Sequence, residues 1–128
     1  MLAIDTNILV RYLTNDDPVQ SAKARALLTG HDIFVSTSVC LESERVLRSV
    51  YKFPSSATIA ALRTIAGLPN IAIENPPLLA QALDRVETGM DFADALHLGA
   101  AAHCESLATF DRKFIVAAAS ASPKVEEP

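Results

Sequence analysis

Four acidic residues from separate parts of the chain, Asp5, Glu42, Asp94 and Asp111, are of a type suited to one chemistry. Carboxylates directed at one rim repel one another unless some are protonated or a cation stands among them. Oxygen-only ligands suit Mg²⁺ or Mn²⁺ rather than zinc. A hard divalent cation held in this way activates water and neutralises a phosphoryl oxygen, which is the chemistry of metal-dependent nucleases and phosphatases. The densest acidic signal lies in residues 88–103, TGMDFADALHLGAAAH, where Asp91 and Asp94 stand at the head of a helix rich in alanine and leucine. Aspartate is a poor helix former and is rarely buried without a partner. Asp91 has a simple explanation as an N-cap. Asp94 then takes the third helical position, where a capping box wants the longer Glu or Gln, and its carboxylate is left able to point elsewhere. At about 100° per residue the two lie roughly 60° apart around the helix, so both can face one site.

The elements that must position these acids read as α/β: short β-branched or apolar runs alternate with segments of helical period, punctuated by Gly, Pro and Ser. Leu2-Ala3-Ile4 reads as a first strand ending at Asp5, with a helix from Ile8 to Leu13. Asp16-Asp17-Pro18 starts a helix that Gly30 closes. Ile33 to Val35 is a second strand, and Ser36-Thr37-Ser38 caps a helix that carries Glu42 and stops before Pro54. Ser55-Ser56 caps a further helix to Gly67, Ile71 to Ile73 is a third strand, and Pro76-Pro77 begins a helix that Gly89 ends. Ser106 to Thr109 is a fourth strand and Asp111 opens a last helix; the tail from Ala117 is either a frayed end or a fifth strand around Val125. No linker or repeat interrupts this pattern, so residues 1–128 are expected to form a single domain. In a parallel sheet with right-handed crossovers the C-terminal strand ends share one edge, where open α/β sheets bind ligands. Asp5 and Asp111 follow strands there, and Glu42 and Asp94 lie in early helical turns near it.

Each acid also has a plainer reading. Asp5, Asp91 and Asp111 precede helices and suit the N-cap and the helix dipole. Glu42, Glu44, Arg45 and Arg48 can form a solvated face with a Glu44–Arg48 pair. With Leu41, Val46, Leu47 and Val50 as the apolar side, Glu42 lies beside that side and Glu44 is turned away.

Half the residues are hydrophobic and a fifth are charged, and the net charge is −4. This balance argues against a broad basic surface that grips nucleic acid by counterion release, unless the acids are concentrated where a cation neutralises them. Arg11, Arg45, Arg48, Lys52, Arg112 and Lys113 are the candidates to hold phosphates near such a centre. No apolar run approaches the roughly 18 to 20 residues of a membrane span, and Asp5 precedes any signal-like apolar region, so a cytoplasmic location is expected. Cys40 and Cys104 lack metal-ligand spacing and read as buried free thiols. His31, His97 and His103 read as packing residues, with His97 also placed to orient Asp94. Apolar helix positions such as Ile59, Leu62, Ile65 and Leu79 are divided between core and a partner surface.

Asp5-Thr6-Asn7 after the first strand, Leu41-Glu42, Asp91-Phe92-Ala93-Asp94-Ala95-Leu96 and Thr109-Phe110-Asp111-Arg112-Lys113-Phe114 together carry a resemblance. Over essentially its whole length the chain resembles PIN-domain ribonucleases, and within them the VapC-type toxins of bacterial toxin–antitoxin pairs. The resemblance implies a three-layer α/β/α sandwich around a central, mainly parallel sheet of four to five strands. It implies an endoribonuclease dependent on Mg²⁺ or Mn²⁺, in which metal-activated water cleaves RNA, together with a cognate antitoxin protein and a homodimer. Carried over by position, Asp5, Glu42, Asp94 and Asp111 are the catalytic, metal-holding acids, with Asp91 as an additional acid. Thr6, Asn7 and Thr109 support them, and Arg11, Arg112 and Lys113 are the substrate-binding cations. A receiver-type signalling module, which would want an Asp after the third strand where this chain has Glu74-Asn75, is the competing reading. An aspartate-nucleophile phosphatase would want Asp where Asn7 stands. A PIN fold that binds RNA without cutting it is a third.

Overall fold

The computed structural model describes all 128 residues, and the chain divides into two compact units, Met1–Pro76 and Pro77–Pro128. The first unit runs β1 (Leu2–Ala3), α1 (Thr6–Leu13), α2 (Pro18–Gly30), β2 (Ile33–Val35), α3 (Thr37–Ser49), α4 (Ser55–Gly67) and β3 (Ile71–Ile73). Its strands form a parallel sheet in the order β1-β2-β3, with Leu2 opposite Ile33 and Ile33 opposite Ile71. Parallel strands need helical crossovers, and the alternation of elements supplies them. Central β2 buries Ile33 and Val35 on one face and half-buries Phe34 on the other.

The caps explain where the helices begin. Asp17 accepts from the Gln20 N–H, with Pro18 as the first residue of α2. Ser36 accepts from the Val39 N–H at the head of α3. At α4 the expectation fails: Pro54 is the capping residue and makes no side-chain bond, so Ser55-Ser56 lie inside the helix rather than capping it. Three residues beyond α3, Lys52 is left-handed, at φ 59, and the Phe53 N–H reaches back to the Leu47 carbonyl at 2.9 Å.

The polarity expected of α3 is also corrected. Glu44 is the buried acid, 8% exposed, while Glu42 is exposed and so is Val50. Burial of Glu44 is tolerable because the Arg48 guanidinium, one turn on, bonds its carboxylate at 3.0 Å. Ile59, Leu62, Ile65 and, in the second unit, Leu79 are all buried core.

The second unit runs α5 (Pro76–Glu87, its first residue at the boundary), α6 (Phe92–Ala100), β4 (Ser106–Ala108), α7 (Arg112–Ala117) and β5 (Lys124–Glu126). β4 and β5 pair in parallel, Ser106 opposite Lys124, which settles the tail as a strand. Five strands are therefore present, the upper of the four to five expected, but they hydrogen-bond as a three-stranded and a two-stranded sheet rather than as one. Gly89, at φ 105, takes the left-handed turn that ends α5. The small residues of α6 serve close approach to α5 at Gly99, where an added Cβ would stand 2.5 Å from Leu78 Cδ1 and 3.3 Å from Gln81 Oε1. Cys40 is buried, but Cys104 is exposed, because it lies in the turn that follows α6 and not inside a helix. No helix is long and apolar enough to cross a membrane.

Candidate acidic site

In the first unit the acids stand where strands give way to helices. β1 delivers the chain to Asp5, whose extended backbone makes it the N-cap of α1, and Oδ1 accepts from the Ile8 N–H at 3.1 Å. One oxygen fixes the carboxylate and the other remains available, in an exposed side chain. Thr6 and Asn7 open the same helix, half-buried and exposed respectively. Glu42 occupies the second turn of α3, also exposed.

Sequence reading passed over a further acid on this edge. Glu74 follows β3, and its Oε1 accepts from the Thr37 N–H at 2.9 Å, so a side chain from the neighbouring strand caps the helix that carries Glu42. The only sequence signal was an acid directly after a strand. Glu74 also bears on Cys40: burial, with a smaller push from the Glu74 charge, raises that thiol to about 11.

Arg11, expected among the phosphate-holding cations, is already engaged. Its Nη1 donates to Asp16 Oδ1 at 3.0 Å and to the Tyr51 hydroxyl at 2.8 Å, and its Nε donates to Gln20 at 2.7 Å. Tyr51 in turn donates to Asp16 Oδ2 at 2.6 Å. The Tyr51 hydrogen bond, joined by Thr14 and the Arg11 charge, holds the Asp16 carboxyl below the usual range against a smaller opposing desolvation. The knot ties α1 and the loop after it to the segment beyond α3.

In the second unit, Asp91 is the N-cap of α6 and its Oδ2 accepts from the Asp94 N–H at 3.2 Å. Asp111 is the N-cap of α7, with Oδ1 accepting from the Lys113 and Phe114 N–H groups at 3.0 and 3.3 Å. Thr109 supports that turn, its hydroxyl accepting from the Asp111 N–H at 3.0 Å. Both capping readings hold, and each cap commits a single oxygen. Asp94 accepts no cap bond. It is half-buried, and partial desolvation, then the charges of Asp91 and Asp111, push its carboxyl above the ordinary range, with His97 opposing. Three carboxylates thus feel one another within this unit. His97 is exposed rather than packed. Arg112 and Lys113 are exposed, Arg112 with only a long 3.8 Å pairing to Glu127.

Neither unit by itself holds three His, Cys, Asp or Glu side chains grouped to cage a metal ion. The donor chemistry nevertheless suits a hard cation. The acids are carboxylates with uncommitted oxygens, and the raised Asp94 carboxyl is one whose repulsion a cation would offset.

Comparison with curated proteins finds no match. Among solved structures, the chain is similar to Mycobacterium tuberculosis VapC20, described as a sarcin-ricin loop cleaving toxin. The two are 18% identical, with 91% of this chain and 95% of that chain covered and a TM-score of 0.47. The family model described as PIN domain matches residues 2–119, a span that contains Asp5, Glu42, Asp91, Asp94 and Asp111. The receiver and phosphatase readings fall with that match, and the chain belongs to the PIN-domain family.

Proposed function

We propose that this PIN-domain protein is a Mg²⁺- or Mn²⁺-dependent endoribonuclease of the VapC type, the toxin of a toxin–antitoxin pair. The observation that carries the proposal is Asp94, a half-buried carboxylate with no cap bond, within the span that the family matches, whose carboxyl is pushed upward by partial desolvation and then by the charges of Asp91 and Asp111. An acid held in that state for structure alone would be a liability; as a cation ligand it has a use.

Asp5, Glu42 and Asp94 would supply the ligand oxygens, with Asp111 completing the set. A bound divalent cation supplies Lewis acidity toward a phosphoryl oxygen and acidifies water. The chain's own part is positional. The Ile8 N–H fixes one oxygen of Asp5, and the Lys113 and Phe114 N–H groups fix one of Asp111, so the second oxygen of each is held in a set direction. Glu74 and Ser36 seat the first turn of α3, and Glu42 rides on the turn after it. Exposed Arg112 and Lys113 take the RNA phosphates, whereas Arg11 is committed to Asp16. A protein antitoxin and a second copy of the chain are the expected partners.

The reading is tested on the cleavage products. Hydrolysis by water proceeds on RNA whose 2′-hydroxyl at the cleaved nucleotide has been replaced by hydrogen, and it stops with EDTA. A 2′,3′-cyclic phosphate product, or cleavage insensitive to EDTA, would contradict it. A PIN domain that only binds RNA would give a stable complex and no product under any cation.

A further inference from the structure

We infer that Phe110 is a stacking platform for one nucleobase of the RNA strand, a substrate-positioning role that rests on the ribonuclease reading above. The chain has five Phe and two Tyr. Six of these seven side chains are buried or half-buried, and Phe110 alone is exposed, at 78%. Covering an exposed phenyl ring would remove apolar surface from water, which favours a partner that offers a flat apolar face.

The loop is fixed on both sides of the ring. The Thr109 N–H donates to the Glu126 carbonyl at 3.0 Å, tying the residue before Phe110 to β5. The Asp111 N–H donates to the Thr109 hydroxyl at 3.0 Å, a bond that spans Phe110 itself. Asp111 Oδ1 then takes the Lys113 and Phe114 N–H groups, and Phe114 is buried. One short segment therefore turns Phe114 inward and Phe110 outward by hydrogen bonding, and the exposure is not that of a fraying end.

The surroundings select the occupant. Arg112, with its side chain 85% exposed, and Lys113 follow within three residues. An exposed aromatic ring close to two exposed cations is a composition with which proteins hold single-stranded nucleic acid, the base on the ring and the phosphates on the cations. Phe110 also directly precedes Asp111, one of the proposed metal-holding acids. A base stacked on it would fix the strand beside that acid. Stacking is tolerant of base identity, so Phe110 sets register rather than sequence.

The chain contains no tryptophan, so Phe110→Trp creates a single fluorescent reporter at the ring. In an Asp94→Asn background, which keeps the strand intact, a mixed-sequence single-stranded oligoribonucleotide of about a dozen nucleotides should quench that tryptophan as it binds. In the otherwise native protein, Phe110→Ala and Phe110→Leu should raise Kd and KM by roughly five- to 150-fold, with kcat little changed. Phe110→Tyr should restore both. An abasic nucleotide at the stacked position should weaken wild-type binding and leave Phe110→Ala indifferent. Full rescue by Leu would overturn the inference in favour of a merely apolar contact. Wild-type RNA affinity in Phe110→Ala, with no quenching in Phe110→Trp, would overturn it in favour of a protein-docking residue. In both cases the ribonuclease reading survives as long as the wild type cuts RNA, whereas a wild type that neither binds nor cuts RNA removes that reading and this inference together.

Discussion

Replacing Asp91 separates two effects that the structure superimposes. Its Oδ2 caps α6 through the Asp94 N–H at 3.2 Å, and its charge helps push the Asp94 carboxyl upward. Asp91→Ala removes both the cap and the charge, whereas Asp91→Asn keeps an acceptor oxygen and removes only the charge. Loss of an N-cap costs about 1 kcal/mol, in a range of roughly 0.5 to 2. Unfolding entropy of about 2.1 cal/mol/K per residue gives roughly 270 cal/mol/K for a chain of this length, so the cap is worth about 4 °C in Tm. For Asp91→Asn, the lost attraction to the helix dipole, about 0.3 to 1 kcal/mol, is offset by relief of the repulsion on Asp94. Thermal melts at neutral pH and low salt should therefore show Asp91→Ala lowered by about 4 °C and Asp91→Asn close to wild type. Both should still cleave RNA, since the cap is the residue's principal duty. Equal destabilisation by Asn and Ala would refute the Oδ2 cap. An Asp91→Asn protein with wild-type Tm and no cleavage would refute the division of labour and make Asp91 a ligand.

Other perturbations test the rest of the structure. Cys40, 2% exposed and raised to about 11, should resist a thiol reagent at pH 8 while exposed Cys104 reacts at once; two fast thiols in the native protein would contradict this. Because that thiol ionises more readily when unfolded, stability should hold below the ordinary value of 9.0 and fall as pH rises from there to about 11 in wild type but not in Cys40→Ala. Asp16 has its pKa lowered from 3.8, so its contribution is present above that pH and lost as pH falls through the folded value. The Tm gap between wild type and Asp16→Asn should accordingly close in acid, and a gap unchanged in strong acid would count against the Arg11–Asp16–Tyr51 knot. Gly99→Ala, set against Leu78 Cδ1, should cost about 1 kcal/mol net of the helix propensity it gains, and a double-mutant cycle with Leu78→Ala should recover that loss; additive effects would place the strain elsewhere.

The sequence exposed the helices and strands well because their signals are local. Asp17-Pro18 and Ser36 mark helix starts by side-chain chemistry, and Ile33–Val35 and Ile71–Ile73 are short β-branched runs bounded by polar residues. Capping duties at Asp5, Asp91 and Asp111 were legible for the same reason. What escaped was set by partners distant along the chain or by solvent. The Arg11–Tyr51 bond spans 40 residues and the Glu74–Thr37 bond 37, and neither leaves a periodic trace. On α3, periodicity put the wrong glutamate beside the apolar side, since burial of Glu44 depends on its ion pair with Arg48 and not on apolar spacing. Strand composition likewise marked four strands and left a fifth open, without saying which hydrogen-bond to which, and the five pair as three and two. Nothing in Thr109-Phe110-Asp111 announces that the phenyl ring faces solvent; the bond from the Asp111 N–H to the Thr109 hydroxyl is visible only in three dimensions.

Metal dependence is measured most directly by a cation titration of RNA cleavage by purified wild type and Asp94→Asn. Mg²⁺ and Mn²⁺ should each restore cleavage to EDTA-treated wild type. Asp94→Asn should lose at least about a hundredfold at saturating cation while melting within a few degrees of wild type, since Asp94 accepts no cap bond. Cleavage without any divalent cation, or an Asp94→Asn protein as active as wild type, would contradict the account.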